Sequence, residues 1–162
     1  SVFMLDRCFL VNRCPLPGGN ERVVINTDNS AYDDGTLRQQ QMDYLKVFLL
    51  EEVAAGNYVV AGGDWNQCPA GFEPEFAVDR FDTEDLIYIE ADYPAPDWTW
   101  AYDPATPTNR RVMRPYTTGD SPTTVIDYFL LSPNVELLSV EGEYLEFAWS
   151  DHQPVIMHFK LK

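Results

Sequence analysis

At 162 residues, 45% hydrophobic and 14% aromatic, the chain is long enough to bury the core of a single domain. Its net charge of −15 argues against a broadly basic nucleic-acid-binding surface, because duplex affinity rests largely on Lys and Arg against phosphates. A site where a bound cation reverses the local sign stays open. No apolar run is long enough to cross a bilayer.

Residues 7–13 read as a strand, 15–20 as a turn and 21–26 as a second strand, so the two form a hairpin. Cys8 and Cys14, six apart on the first strand, share a face but lie too far apart to bridge. With Cys68 they match no zinc-ligand spacing and are expected as free thiols, mostly in the core; a disulfide through Cys68 is the alternative. A polar loop over 27–35 leads into a helix over 36–52. Its N-cap comes from Asp33 or Asp34, its apolar stripe from Leu37, Met42, Leu45, Phe48, Leu49 and Val53, and its stop from Gly56-Asn57. The strand Tyr58-Val59-Val60-Ala61 follows, so strand, helix and strand succeed one another and the helix packs on a sheet.

Two glycines, Gly62 and Gly63, break that strand just before Asp64-Trp65-Asn66. If the backbone stays extended, Asp64 and Asn66 face one way and Trp65 the other. Such a pair suits gripping a water, a metal or a phosphate oxygen, or it is an Asx turn that serves only local backbone. Residues 69–82 read as loop and 84–89 as a short helix or strand, and 97–102, with Trp98 and Trp100, as an alternating strand. Arg110, Arg111 and Arg114, next to Asn109, concentrate positive charge in an acidic chain. They are either surface ion pairs or a phosphate-facing cluster, since the guanidinium fork matches phosphate.

A strand over 123–131 carries Asp127 among β-branched and apolar neighbours, where an unpaired carboxylate costs several kcal/mol. Strands over 135–143 and 154–162 close the chain, the last preceded by Asp151-His152. His158, inside that strand, reads as structural.

The series Gly-Asp-Trp-Asn (63–66), Ile-Asp-Tyr (126–128) and Ser-Asp-His-Gln-Pro-Val (150–155), each at a strand end, resembles the endonuclease/exonuclease/phosphatase superfamily, with its DNase I-like nucleases and phosphatases. The resemblance implies an α/β fold, a DNase I-like two-sheet sandwich with flanking helices. It implies a phosphoester hydrolase using Mg2+ or Mn2+, with a small molecule, a lipid headgroup or nucleic acid as the phosphoester substrate. By the same resemblance Asp64 handles the attacking water, Asn66 donates to the transition state and Asp151 binds metal. His152 contacts the phosphoryl group, with Asp127 fixing its tautomer. Asn26, Asp28, Arg110 and Arg111 are the expected substrate-binding residues. Where the family pattern has Asn-x-His, this chain has Asn26-Thr27-Asp28. The Asn and the metal-binding Glu expected on earlier strands are not found, so the chain reads as the C-terminal part of the domain with its N-terminal strands missing. Two further readings follow. One is a catalytically inactive binding or structural domain; the other is self-association through an open sheet edge. No specific protein partner is indicated.

Overall fold

The computed structural model describes residues 7–31, 34–73, 86–112 and 115–162. A hairpin of β1 (Phe9–Pro15) and β2 (Glu21–Asp28) leads through helix α1 (Thr36–Ala54) to β3 (Tyr58–Asp64), which pairs parallel to β2. Next come β4 (Thr99–Ala101), β5 (Asn109–Arg110), β6 (Thr123–Thr124), β7 (Asp127–Leu131), β8 (Val135–Gly142) and β9 (Val155–Leu161). The main sheet has the order β1-β2-β3-β7-β4; β5 pairs with β6, and β8 with β9.

Helix α1 covers one face of the main sheet. Met42, Leu45 and Leu49 meet Val23 and Ile25 of β2 and Val59 of β3 in the larger core cluster. The β8–β9 hairpin covers part of the other face, where Val60, Ala101, Leu131 and Val135 are buried with Leu137, Met157 and Phe159 packed on them. The result is α/β, with a helix and a second, smaller sheet on opposite sides of the main one.

Local signals explain most element boundaries. Gly56 adopts φ 85°, its N–H donates to Val53 O, and Asn57 N–H donates to Glu52 O. This is the Schellman stop that Gly56-Asn57 predicts. The start of the helix differs from expectation. Gly35, at φ 92°, occupies the cap position with no side-chain capping bond. The Asp34 carboxylate instead accepts from Thr36 N–H one residue further on, at 3.0 Å; Asp33 lies outside the described residues. Glu52 is buried at the helix end, and Arg13 of β1 and Asn57 both donate to it. The buried carboxylate is thereby satisfied, and β1 is tied to the helix.

Other expectations are corrected. The strand over 123–131 is two strands in different sheets, broken at Val125-Ile126, where buried Thr108 Oγ1 accepts from the N–H groups of Ile126 and Asp127, both at 3.0 Å. Asp127 therefore opens β7 and does not interrupt a strand. Only residues 99–101 of 97–102 are strand. Of 84–89, the described residues hold only a bridge from Tyr88 to Cys68. Among the thiols, Cys68 alone is buried; Cys14 is half-buried and Cys8 exposed, all three free.

Candidate active site

The site grows from the register of three strands. Asp28 of β2 lies opposite Asp64 of β3, and Asp64 opposite Asp127 of β7. Three carboxylates thus stand in a row across the sheet, an arrangement of like charges that costs stability unless a cation or proton offsets it. Glycine makes the close approach possible. At Gly63, φ 137°, a Cβ would run into the backbone oxygen of Thr27, and at Gly62 into the ring of Phe129.

Trp65 holds the end of β3 in place. Fully buried, it stacks on Tyr128 with ring centroids 5.6 Å apart, and its Nε1–H donates to Tyr128 O at 3.0 Å. The strand then leaves extended geometry, because Asn66 has φ 50°. Its side chain nevertheless returns to Asp64. Asn66 Nδ2 donates to Asp64 Oδ2 at 2.9 Å and to Asn29 O at 2.8 Å, while Asn66 N–H donates to Asp64 Oδ1 at 2.8 Å. The two residues form both an Asx turn and a polar pair, and both amide hydrogens of Asn66 are engaged.

His152, 25 positions after Asp127, meets it across the fold. Nδ1 lies 2.8 Å from Asp127 Oδ2, and Nε2 lies 4.0 Å from Asp64 Oδ2. The hydrogen bond to Asp127, reinforced by the charges of Asp127, Asp64 and Asp151, outweighs burial and lifts His152 to about 9. Burial first, and the Asp127 charge second, push Asp64 up to about 6. A carboxyl titrating near neutrality is suited to general-base work.

One ligand atom from each of Asp64, Asp127 and His152 lies within 4.8 Å of the others. The carboxylate row fits a divalent cation, since unbalanced negative charge at Asp64 is what such an ion relieves. Asp151 lies outside that tight cluster but lines the same cleft of about 660 Å³, with Asp28, Asp64, Asn66, Arg110, Arg111 and His152. Asn26 sits elsewhere, on the side of the sheet where Gly62, Gly63 and Asp127 line a separate cavity of about 270 Å³.

Two participants, Arg7 and Arg38, were not singled out from the sequence, and Asn109 was named there only as part of the arginine cluster and not as a partner of His152. Arg7 and Arg38 line the cleft; Arg7 pairs with Asp28, and buried Arg38 donates to Ser30 O at 3.0 Å. Asn109 sits 3.0 Å from His152 Nε2. No local pattern marks them, because their partners are distant in sequence.

Residues 4–152 match the profile of the Endonuclease/Exonuclease/phosphatase family. The chain belongs to this family. No curated protein matches it. Among solved structures, the endonuclease/exonuclease/phosphatase of Beutenbergia cavernae is 19% identical, with a TM-score of 0.60 over 97% of this chain and 40% of that one. The 3'-5' exonuclease NExo of Neisseria meningitidis is also 19% identical, with a TM-score of 0.64 over 93% of this chain and 70% of that one. The human Nocturnin catalytic domain, solved with a bound sulfate anion, is 15% identical, with a TM-score of 0.59 over 98% of this chain and 54% of that one. At these identities the likeness speaks for fold. The family member described here spans 40% to 70% of these three structures.

Proposed function

We propose that this family domain serves a divalent-metal-dependent phosphoester hydrolase that works by in-line attack of water on phosphorus. The observation that carries the reading is the convergence of Asp64, Asp127 and His152, within 4.8 Å of one another, from strand ends far apart in the chain. Asp64 takes the proton of the attacking water; the new P–O bond forms as the opposite ester P–O bond breaks. Protonation loosens the hold of Asp64 on the Asn66 amide and frees one hydrogen for a phosphoryl oxygen. Asp127 keeps the His152 ring oriented beside that oxygen. Asp151 and the carboxylate row would hold a divalent ion such as Mg2+ or Mn2+, which would supply charge neutralisation at the phosphoryl group.

Arg110 supports the substrate side of this reading. Its Nη1 donates to Arg111 O, but its Nε is buried without a partner among the described residues. A buried guanidinium donor left unpaired costs on the order of 1–3 kcal/mol, which an anionic ligand in the cleft would recover. Arg111 lines the same wall.

Bis-p-nitrophenyl phosphate with Mn2+ tests the proposal. Wild-type turnover is expected to fall at least about 100-fold in Asp64→Ala and in His152→Ala. Equal rates in all three proteins overturn it. A second reading, metal or ligand binding without turnover, is favoured by Asp28, which stands at the family's histidine position and is ion-paired with Arg7. Calorimetric Mn2+ binding in a protein that hydrolyses nothing would select it.

A further inference from the structure

Asn109 has no part in the reading above. It stands in β5, paired on one side with Thr124 and bridged on the other to His152, so its backbone is held from both sides. Its Nδ2 lies 3.3 Å from the carbonyl oxygen of Asp151 and 3.0 Å from His152 Nε2. A backbone carbonyl only accepts, so the amide atom facing Asp151 is the nitrogen and not the oxygen. The second hydrogen of that nitrogen then points at Nε2, which accepts with its lone pair. The proton of the neutral ring must accordingly sit on Nδ1, where Asp127 Oδ2 accepts it at 2.8 Å. The opposite tautomer would set Nε2–H against the amide hydrogens of Asn109 and the Nδ1 lone pair against the Asp127 carboxylate. Both contacts would then be repulsive.

We propose that Asn109 is a positioning residue that fixes the neutral His152 ring in the Nδ1–H tautomer, with the Nε2 lone pair taken up by the Asn109 amide at the edge of the cleft. The purpose of that arrangement rests on the phosphoester-hydrolase reading; its geometry does not. Asp127 alone orients one end of the ring and leaves rotation about the Nδ1 contact open. A second contact at Nε2, delivered from a different strand, fixes the ring plane. His152 Nε2 is then held 4.0 Å from Asp64 Oδ2, the two groups between which a reacting phosphoryl and its water would have to fit.

Long-range 1H–15N spectra of the metal-free protein at about pH 10, where the ring is neutral, report the tautomer directly. The Nδ1–H form is expected in the wild type; the Nε2–H form, or an average of the two, overturns the proposal. In Asn109→Ala the Nδ1–H population is expected to fall, with kcat toward bis-p-nitrophenyl phosphate at that same pH dropping about tenfold and KM staying within about twofold. Asn109→Asp preserves size but removes both donors, and is not expected to restore kcat. A folded Asn109→Ala protein with an unchanged tautomer population overturns the proposal. A wild-type ring fixed as Nδ1–H in a protein that turns over no phosphoester supports the positioning role while removing the hydrolase reading, so the two stand or fall separately.

Discussion

At the scale of single residues, two groups carry opposite pH signatures. Asp64 titrates above the ordinary carboxylate range, at about 6, so the native state binds its proton more tightly than the unfolded chain does. Its contribution to stability is present below pH ~4 and is lost as pH rises toward 6, the reverse of an ion-paired aspartate. His152, raised to about 9, contributes stability fully below pH ~6.5 and loses it as pH climbs through 9. The main cause of the His152 shift is its hydrogen bond to Asp127. In Asp127→Asn, therefore, the imidazole titration followed by NMR in metal-free protein is expected to fall toward the free value of about 6.5. The part of this site that was legible beforehand is the part written as adjacent letters: Asp64 with Asn66, and Asp151 with His152. Asp127 was legible as a carboxylate needing a partner. Asn109 was not, because what makes it matter is a contact 43 positions away across a two-residue strand.

At the scale of elements, the junction of β2 and β3 is the most constrained. Gly63 has φ 137° and no room for a Cβ against the Thr27 backbone oxygen. Gly63→Ala combines an unfavourable dihedral with a backbone clash, and chemical denaturation is expected to show a loss of about 2–4 kcal/mol. A loss under about 0.5 kcal/mol would mean that the two strands can part without consequence. The elements also show why sequence reading succeeds in some places and not in others. The end of α1 is encoded locally by Gly56, the one residue type at ease with the required positive φ. The break at Val125-Ile126 is invisible in sequence, since both residues favour strands and the chain turns there because Thr108, in another segment, takes up two of its N–H groups. The Thr123–Thr124 pairing with β5 and the Asp127–Leu131 pairing with β3 and β4 belong to different sheets, a fact of topology and not of propensity.

At the scale of the molecule, a net charge of −15 and a row of three facing aspartates lead us to expect stabilisation of the fold by cations. An ion that binds only the folded state stabilises it by about 2.7 kcal/mol at 100 times its dissociation constant. For a domain of this size that corresponds to a rise in Tm of about 5–10 °C. Calorimetric scans with Mn2+ against EDTA are expected to show the rise in the wild type and not in Asp64→Asn, which is also expected to melt higher than the wild type in EDTA because a repelled charge is gone. The overall architecture was legible in outline: a hairpin, a helix returning to a parallel strand, and closing strands. The pairing of β8 with β9 as a separate layer over Val60, Ala101 and Leu131 was not, because layer assignment depends on which apolar faces find each other in space.

The aspartates at 28, 64 and 127 and the histidine at 152 reach one another only after every intervening stretch of chain has been looped in. Closing loops of that length consumes chain entropy before any contact gives it back, and such long-range pairings form slowly and together. The pocket is therefore among the last things folding assembles. Holding the four groups in place requires the chain from residue 28 to residue 152 to be in its native arrangement, so competence at this centre reports on that whole span.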